Sequence, residues 1–388
     1  MSVFTKFLSE IWRNYVTDGV PSSGPQMPVK ADIRAWGTQA ETAIEQLVAA
    51  TCTNFRNIAG RNGGFEVWQL GTSVSVPAST TAYTVDGWYL TTGANQASAV
   101  AQGAALTPGS INSAAVFRNS GQTGTGTMRF AFPLSTEEQR KMRGKNVVLS
   151  FSVLAGANWS PASGTLNYTL YCGLSGTSKR NGSAYTSETT PISGSVNLTP
   201  GGSVTQVVSA LSSVVGTGIT SAEIQFSWAP TGTAGANDWF AIDDLQLEVV
   251  PSDVTAIPVF ERTDFIFDLV RCQRHFEKSY DITVSPGTNV GTDSAGSSCF
   301  EVGGGLSSTT AAFRWGVDFA VPKRVTPTIT LYSTDGTAAR VRDRTSSSNA
   351  SSVSAPGPGL RGFNISAAPT AGSTAIFFEA HWTADARI

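Results

Sequence analysis

The residues best suited to chemistry are aromatic rings beside loops. Trp159 lies in ANWSPASG and Trp239 in AGANDWF, with Tyr168, Tyr171 and Trp228 in neighbouring strand-like runs. Rings so placed stack on pyranose faces while a few polar side chains fix orientation, so these five are the candidates for a carbohydrate site. Most aromatics in a β-sandwich are core instead, each burial being worth roughly 2–3 kcal/mol. Trp68, Trp88 and Phe226 are assigned to that role, and Trp159 is taken as the exposed platform.

Catalytic chemistry has less to work with. Glycoside cleavage needs two carboxylates flanking one bond. Glu137 and Glu138 sit on an expected surface helix, and acidic residues are sparse elsewhere. His275 and His381 have no G-x-S-x-G serine or other nucleophile motif beside them. His275 falls in an expected helix and reads as a packing or capping residue. No catalytic residue is assigned and no enzyme is expected. Cys52, Cys172, Cys272 and Cys299 lack zinc-site spacing. They read as buried free thiols, with a Cys272–Cys299 disulfide or a Cys52 link between subunits as alternatives.

The elements that would position the aromatic candidates are strands. The chain has 388 residues, too many for one core, so two or three domains are expected. Charged residues make up only 14% and glycines number 39, the profile of an all-β protein rich in tight turns. A net charge of −2 gives no electrostatic reason to expect nucleic acid or an anionic membrane as partner. No run approaches the roughly 18 apolar residues of a membrane span, so no insertion is expected. The N-terminus does not read as a secretory signal, because Glu10 and Arg13 interrupt it.

Two remote runs organise the middle of the chain. Asn62–Gly71 (NGGFEVWQLG) and Asp238–Glu248 (DWFAIDDLQLE) alternate as half-buried strands do. They are read as the first and last strands of one sandwich over 62–250, lying side by side. That pairing brings Glu66 near Asp243 and Asp244. Between them, strands are expected near 73–77, 83–90, 98–102, 115–118, 128–132, 146–154, 166–171, 193–198, 204–207 and 223–228. One helix interrupts them at Ser135–Arg143, with a Ser135–Glu138 capping box and Gly144 as its stop.

The ends differ. Phe4, Leu8, Ile11, Trp12 and Tyr15 recur at helical spacing, and the Pro/Gly-rich Asp18–Pro28 follows. Such a helix either packs on its own chain or docks on a larger assembly. Over 28–51, Ile33, Ala40 and Leu47 stand seven apart, as do Trp36, Ala43 and Ala50, an a/d pattern that Ile44 widens. This is a self-associating coil or a surface helix packed on a sheet. After a linker at 251–264, a helix is expected at Phe265–Phe276. A β-rich region then runs to 388, with strands near 300–302, 312–320, 328–332, 362–367 and 375–383 and an exposed loop at Thr345–Pro358.

NGGFEVW, YTVDGWYL, LSTEEQRKMRGKNVVLSFSVLAG and WFAIDDLQLE together resemble the jelly-roll carbohydrate-binding modules with a galactose-binding-like fold. DGVPSSGPQMPVKADIRAW resembles the N-terminal part of tail fibres of tailed phages and prophages. RCQRHFEKSY, FAVPKRVTPTITLYSTDGTA and HWTADARI are similar to the C-terminal domain of the same proteins. The resemblance implies a mainly β homotrimer located in the virion tail. It implies an anchor at 1–27 to a tail or baseplate protein, a trimer or receptor domain at 265–388, and attachment to a host-surface polysaccharide without turnover. It also implies a structural calcium where first and last strands meet, held by Glu66, Asp243 and Asp244, since calcium takes several oxygen ligands. The residues themselves equally allow carboxylates satisfied by backbone amides or a solvated turn. Two other functions stay open: a collar or baseplate fibre binding only virion proteins, and a capsule depolymerase.

Overall fold

In Asn146–Ala155 (NVVLSFSVLA), residues 147, 149, 151, 153 and 155 point into the core and alternate with the outward positions. That period of two, repeated along the chain, builds the sandwich. The computed structural model describes residues 37, 39, 56–251, 260–303, 310–370, 372 and 374–388. The chain divides into two units, Met1–Arg56 and Asn57–Ile388. In the first, Gly37 and Gln39 are helical. The segment 1–27, Ile33, Trp36, Ala40, Ala43, Leu47 and Cys52 lie outside the described residues.

The second unit is mainly β. Among the described residues, one six-stranded antiparallel sheet has the order β1 (Ser73–Val76), β4 (Ser98–Ala104), β5 (Asn112–Arg118), β12 (Trp239–Val250), β7 (Asn146–Ala155), β10 (Thr205–Val208). A second six-stranded sheet has the order β2 (Thr81–Tyr83), β3 (Tyr89–Thr91), β6 (Met128–Pro133), β11 (Ser221–Trp228), β8 (Thr165–Gly173), β9 (Thr189–Asn197). Their inner faces share one core. Trp88 stacks on Phe130 with ring centroids 4.6 Å apart, and Phe151 meets Phe226 edge-on at 4.9 Å. Trp68 also lies in this core, as its assignment to packing requires.

The helix α1 (Thr136–Met142) starts as its sequence predicts. Ser135 Oγ accepts from Glu138 N, and Glu138 Oε2 accepts from Ser135 N at 2.6 Å. Gly144, at φ +69°, follows its end.

Asn62–Gly71 is not a strand. Asn62 and Phe65 have φ of 78° and 53°, outside the extended region, and the Asn62 amide brackets Val67, bonding both its N–H and its carbonyl at 2.9 Å. The segment nevertheless lies against β12. Ile58 N donates to Leu247 O at 2.7 Å, and Leu245 N donates to Gly63 O at 2.9 Å. A Cβ on Gly63 would stand 2.4 Å from Leu245 O, so only glycine permits this approach. Phe65 and Leu245 share the core. Tyr83–Leu90 is a hairpin, β2 to β3, and not one strand. The turn closes through Trp88 N to Val85 O at 2.9 Å, with Gly87 at φ +84°.

A second core lies in the C-terminal part, built around Phe363, Phe378 and Trp382. The helix α2 (Phe265–Gln273) is capped by Asp264, and Phe276 already belongs to the next strand, so the helix stops short of the expected 276. The long strand β21 (Ile376–Asp385) pairs with β13 (Phe276–Lys278), β14 (Ser298–Val302), β16 (Thr328–Tyr332) and β17 (Arg342–Asp343), which pairs β18 (Ser348–Asn349). A three-stranded sheet holds β15 (Phe313–Asp318), β20 (Gly362–Ala368) and β19 (Ser351–Ser354). The stretch 345–358, expected as a loop, thus contains two strands. Its Ser residues gave no apolar alternation to read, yet the backbone pairs with β17 and β20. Cys172 and Cys272 are buried free thiols, whereas Cys299 is free but exposed, so neither the buried reading of Cys299 nor a Cys272–Cys299 disulfide holds.

The two cores meet through polar contacts. Gln69 Nε2 donates to Asp86 Oδ1 at 2.6 Å and to Phe276 O at 2.8 Å. Arg274 pairs with Glu137 at 2.7 Å, and Arg387 lies over the rings of both Tyr83 and Phe276.

Candidate carbohydrate-binding face

The second sheet turns Met128, Phe130, Phe132, Leu166, Leu170, Ile224 and Phe226 into the core. By the same alternation, its outward positions are Thr81 and Tyr83, Tyr89 and Thr91, Arg129 and Ala131, Asn167, Thr169 and Tyr171, and Glu223, Gln225 and Ser227. Across the strands, Ala131 is aligned with both Tyr89 and Gln225, and Gln225 with Thr169. Asn167 and Ser195 are exposed, and Arg129 and Ser227 half-exposed, giving one open shelf of amide, guanidinium and hydroxyl groups.

The other half of this face is covered by the loop from Leu174 to Glu188, which joins β8 to β9. Arg180 N donates to Glu223 Oε2 at 2.9 Å, and Asn181 N donates to the Tyr89 hydroxyl at 3.0 Å. Asn181 Oδ1 accepts from Thr81 and Thr91. The Arg180 guanidinium lies 3.9 Å from the Tyr171 ring centroid and is held by Glu188 at 2.8 Å. Lys179 stands over Tyr83 at 4.6 Å. Beneath this loop Glu223 is fully buried, and burial pushes its pKa up to about 7 against the donors Tyr89 and Arg180. Burial first, and the Glu223 carboxylate second, raise the Tyr89 hydroxyl far above the usual phenol range. Glu223 Oε1 and Gln225 Oε1 are both buried without a hydrogen-bond partner among the described residues.

The five aromatic candidates scatter. Trp159 is not a platform: it is 5% exposed, its Nε1 donates to Gly164 O at 2.9 Å, and it meets Phe240 edge-on. Trp228 packs on Phe240 at 4.8 Å, and Tyr168 points inward onto Phe151 at 5.4 Å. Tyr168 and Trp228 stand in phase with the core positions of their strands, so the alternation that made them strand residues also buried them, whereas Trp159 lies in the connection after β7 and folds back into the core. Tyr171 is half-buried on the outward face under Arg180. Trp239 is half-buried on the opposite side of the sandwich, on β12, 5.8 Å from Phe117. Tyr89, Arg180 and Glu223 were not among the candidates. The alternation of SAEIQFSW already set Glu223, Gln225 and Ser227 on one polar side, but no local signal placed the 174–188 loop over them.

Glu66, Asp243 and Asp244 do come close together. Asp243 is buried in β12 beside a bulge, and its oxygens accept from Leu106 N at 3.1 Å and Asp244 N at 2.7 Å. Asp244 accepts from Thr107 Oγ1 at 2.5 Å and lies 2.9 Å from Arg262 Nη2. Burial, then the Asp268 charge, raises the Glu66 pKa, while Arg262 lowers it. Backbone amides, the Thr107 hydroxyl and Arg262 meet oxygens of Asp243 and Asp244, while Asp244 Oδ1 is buried without a hydrogen bond among the described residues. Among the described residues, no group of three or more His, Cys, Asp or Glu is arranged to hold a metal.

No protein-family model matches the chain, and no curated protein matches it. Solved structures similar to it include the enzymatically active domain of tailspike protein 4 from bacteriophage CBA120, at 12% identity and a TM-score of 0.28, covering 51% of this chain and 21% of that one. The CBM22-1 xylan-binding domain of Paenibacillus barcinonensis Xyn10C matches at 14% identity and 0.29, covering 46% and 94%. A cyclase from Fischerella sp. matches at 13% and 0.31, covering 50% and 95%. At these identities and scores no function passes from them to this chain.

Proposed function

We propose that this chain is a fibre-type attachment protein of a tailed-phage particle, holding a host-surface glycan on the outward face of its second sheet without turnover. The observation that carries the reading is the shelf of Arg129, Asn167, Ser195 and Ser227 beside Tyr171, side chains from four adjacent strands with hydrogen-bonding groups turned outward. Sugars are bound by such arrays of amide, hydroxyl and guanidinium groups at the edge of a ring. Turnover would need a second carboxylate across the bond from the first. On the outward strand positions named above Glu223 is the one carboxylate, and Tyr89 and Arg180 bond it beneath a loop.

The tail position and the anchoring role of residues 1–27 rest on the sequence resemblance. Self-association has physical support: α2 exposes Phe265, Ile266, Phe267 and Val270 while burying Asp268 and Cys272. A glycan array probed with the full chain tests the reading. Binding to a defined host polysaccharide, lost in Arg129→Ala/Asn167→Ala, is the expected result. Absence of any bound glycan overturns it. The loop over half of the face favours a second reading, a fibre component binding only virion proteins, and that outcome would leave it standing.

A further inference from the structure

A different cavity opens where the sandwich meets the C-terminal part, between α1 and α2. It measures about 160 Å³ and is lined by Asn57, Ile58, Gly60 and Ser135 together with charged side chains from both parts. One water needs only roughly 10–15 Å³ on this measure, so the space admits a small molecule.

The lining is unbalanced in charge. Four cations, Arg61, Lys141, Arg271 and Arg274, face two carboxylates, Glu137 and Glu138. Arg61 lies 3.2 Å from Glu138, and Arg274 lies 2.7 Å from Glu137. Arg271 donates to Gly60 O at 2.9 Å and stands 3.8 Å from Asp268, behind the cavity. Lys141 makes no hydrogen bond or ion pair among the described residues, and burial and the Arg271 charge lower its pKa against the opposing charges of Glu138 and Glu261. His275 completes the polar lining. It is 5% exposed, its Nδ1 is buried without a partner, and burial with the charges of Arg61, Arg324, Arg274 and Lys323 holds its pKa well below the usual range. A buried ring nitrogen without a partner, beside an ammonium that makes no ion pair, leaves donors that an oxyanion would satisfy.

We propose that this cavity binds a small oxyanion, a carboxylate or phosphate group, between Lys141, Arg271, Arg274 and His275. The shared chemistry is a compact group with two or three acceptor oxygens, which guanidinium and ammonium donors meet with charge-assisted hydrogen bonds. The group comes either from a free oxyanion or from an acidic sugar. The site is separate from the outward sheet face and does not depend on the glycan reading.

The chain has two histidines, so histidine-selective NMR of the full-length protein reads the site directly. His381 serves as the internal control, because its two ring nitrogens are held by Ser279 and Ser294. Titration with inorganic phosphate should move the His275 signal, with a millimolar midpoint, and leave His381 in place. It should also raise the His275 pKa. Lys141→Gln, on the exposed side of α1, should raise the midpoint at least fivefold, and Lys141→Arg should restore it. Glucuronate acting like phosphate assigns the site to acidic sugars, and phosphate alone assigns it to free oxyanions. The proposal is overturned if His275 does not move with either anion, if glucose moves it equally, or if Lys141→Gln leaves the midpoint unchanged.

Discussion

The Tyr89 hydroxyl donates to Glu223 Oε2 at 2.7 Å, reaching over β6 from β3 to β11. The same carboxylate takes the Arg180 amide, so one buried acid ties the sheet face to the loop that covers it. Burial raises the Glu223 pKa from its ordinary 4.5 to about 7, so ionisation opposes folding. The associated stability is fully present below about pH 4.5 and is lost as pH rises through about 7. A shift of this size corresponds to about 3 kcal/mol at most. Asp86, raised to about 6 by burial, adds a loss of the same sign near that pH. Urea unfolding from pH 5 to 8.5 should therefore show falling stability, and Glu223→Gln should flatten the part that lies near pH 7. An unchanged slope in that variant would remove Glu223 from the account.

Trp159 and Tyr171 now have opposite roles, which mutation separates. Trp159 is buried against Trp228 and Phe240, and truncating such a ring leaves a cavity. Trp159→Ala should cost about 3–5 kcal/mol in chemical denaturation. Tyr171→Ala removes a half-exposed ring under Arg180 and should cost only about 1 kcal/mol. Any effect on glycan binding should appear in Tyr171→Ala at equal folded fraction. A stable Trp159→Ala protein with weakened binding would restore the platform that the sequence suggested.

What was legible followed from the period of two. The strands around 128–133 and 146–155 stand close to their expected places because each buries an unbroken alternate row; 98–104 and 239–250 do so although β4 sends only Val100 into the core and the β12 row changes phase at its bulge. The capping box at Ser135 and the stop at Gly144 were equally local. Asn62–Gly71 misled because its apolar residues do enter the core, but through left-handed turns at Asn62 and Phe65. Tyr83–Leu90 misled because Asp86–Gly87 inside it is a turn signal outweighed by the surrounding Tyr, Val and Trp. The face itself was not legible, since the register of six strands and the path of the 174–188 loop decide which rings meet solvent.

Asp243, Asp244 and Glu66 form an acidic seam in which Arg262 stands 2.9 Å from Asp244. If that guanidinium supplies the positive charge, chelator should leave the melting temperature unchanged, and added calcium should do the same. Arg262→Ala should lower stability by about 1 kcal/mol, the scale of a partly exposed pair, because the neighbouring carboxylates then repel. Differential scanning calorimetry with EDTA and with calcium, on both proteins, is the measurement. A rise of several degrees on adding calcium to the unaltered chain would mean that the seam rearranges to take the ion.

Helix α2 leaves four large apolar side chains at least one-third exposed: Phe265, Ile266, Phe267 and Val270. Its inward side carries Asp268, bonded by Thr263, and the Cys272 thiol. An ordinary surface helix has the reverse arrangement, and a clustered apolar patch of this kind marks a contact with another surface. Copies of this chain meeting there would bury the patch at low entropic cost, since the helix is already formed. The seven-residue spacing of Ile33, Ala40 and Leu47 is a second candidate seam that rests on the sequence alone. Ile266→Asp/Phe267→Asp should reduce the mass of the particle in sedimentation, as should Ile33→Asp/Leu47→Asp, while circular dichroism keeps its β signature. If only the second pair dissociates the particle, the coil alone holds the copies together and α2 serves a different partner. If neither pair changes the mass, association through both segments is excluded.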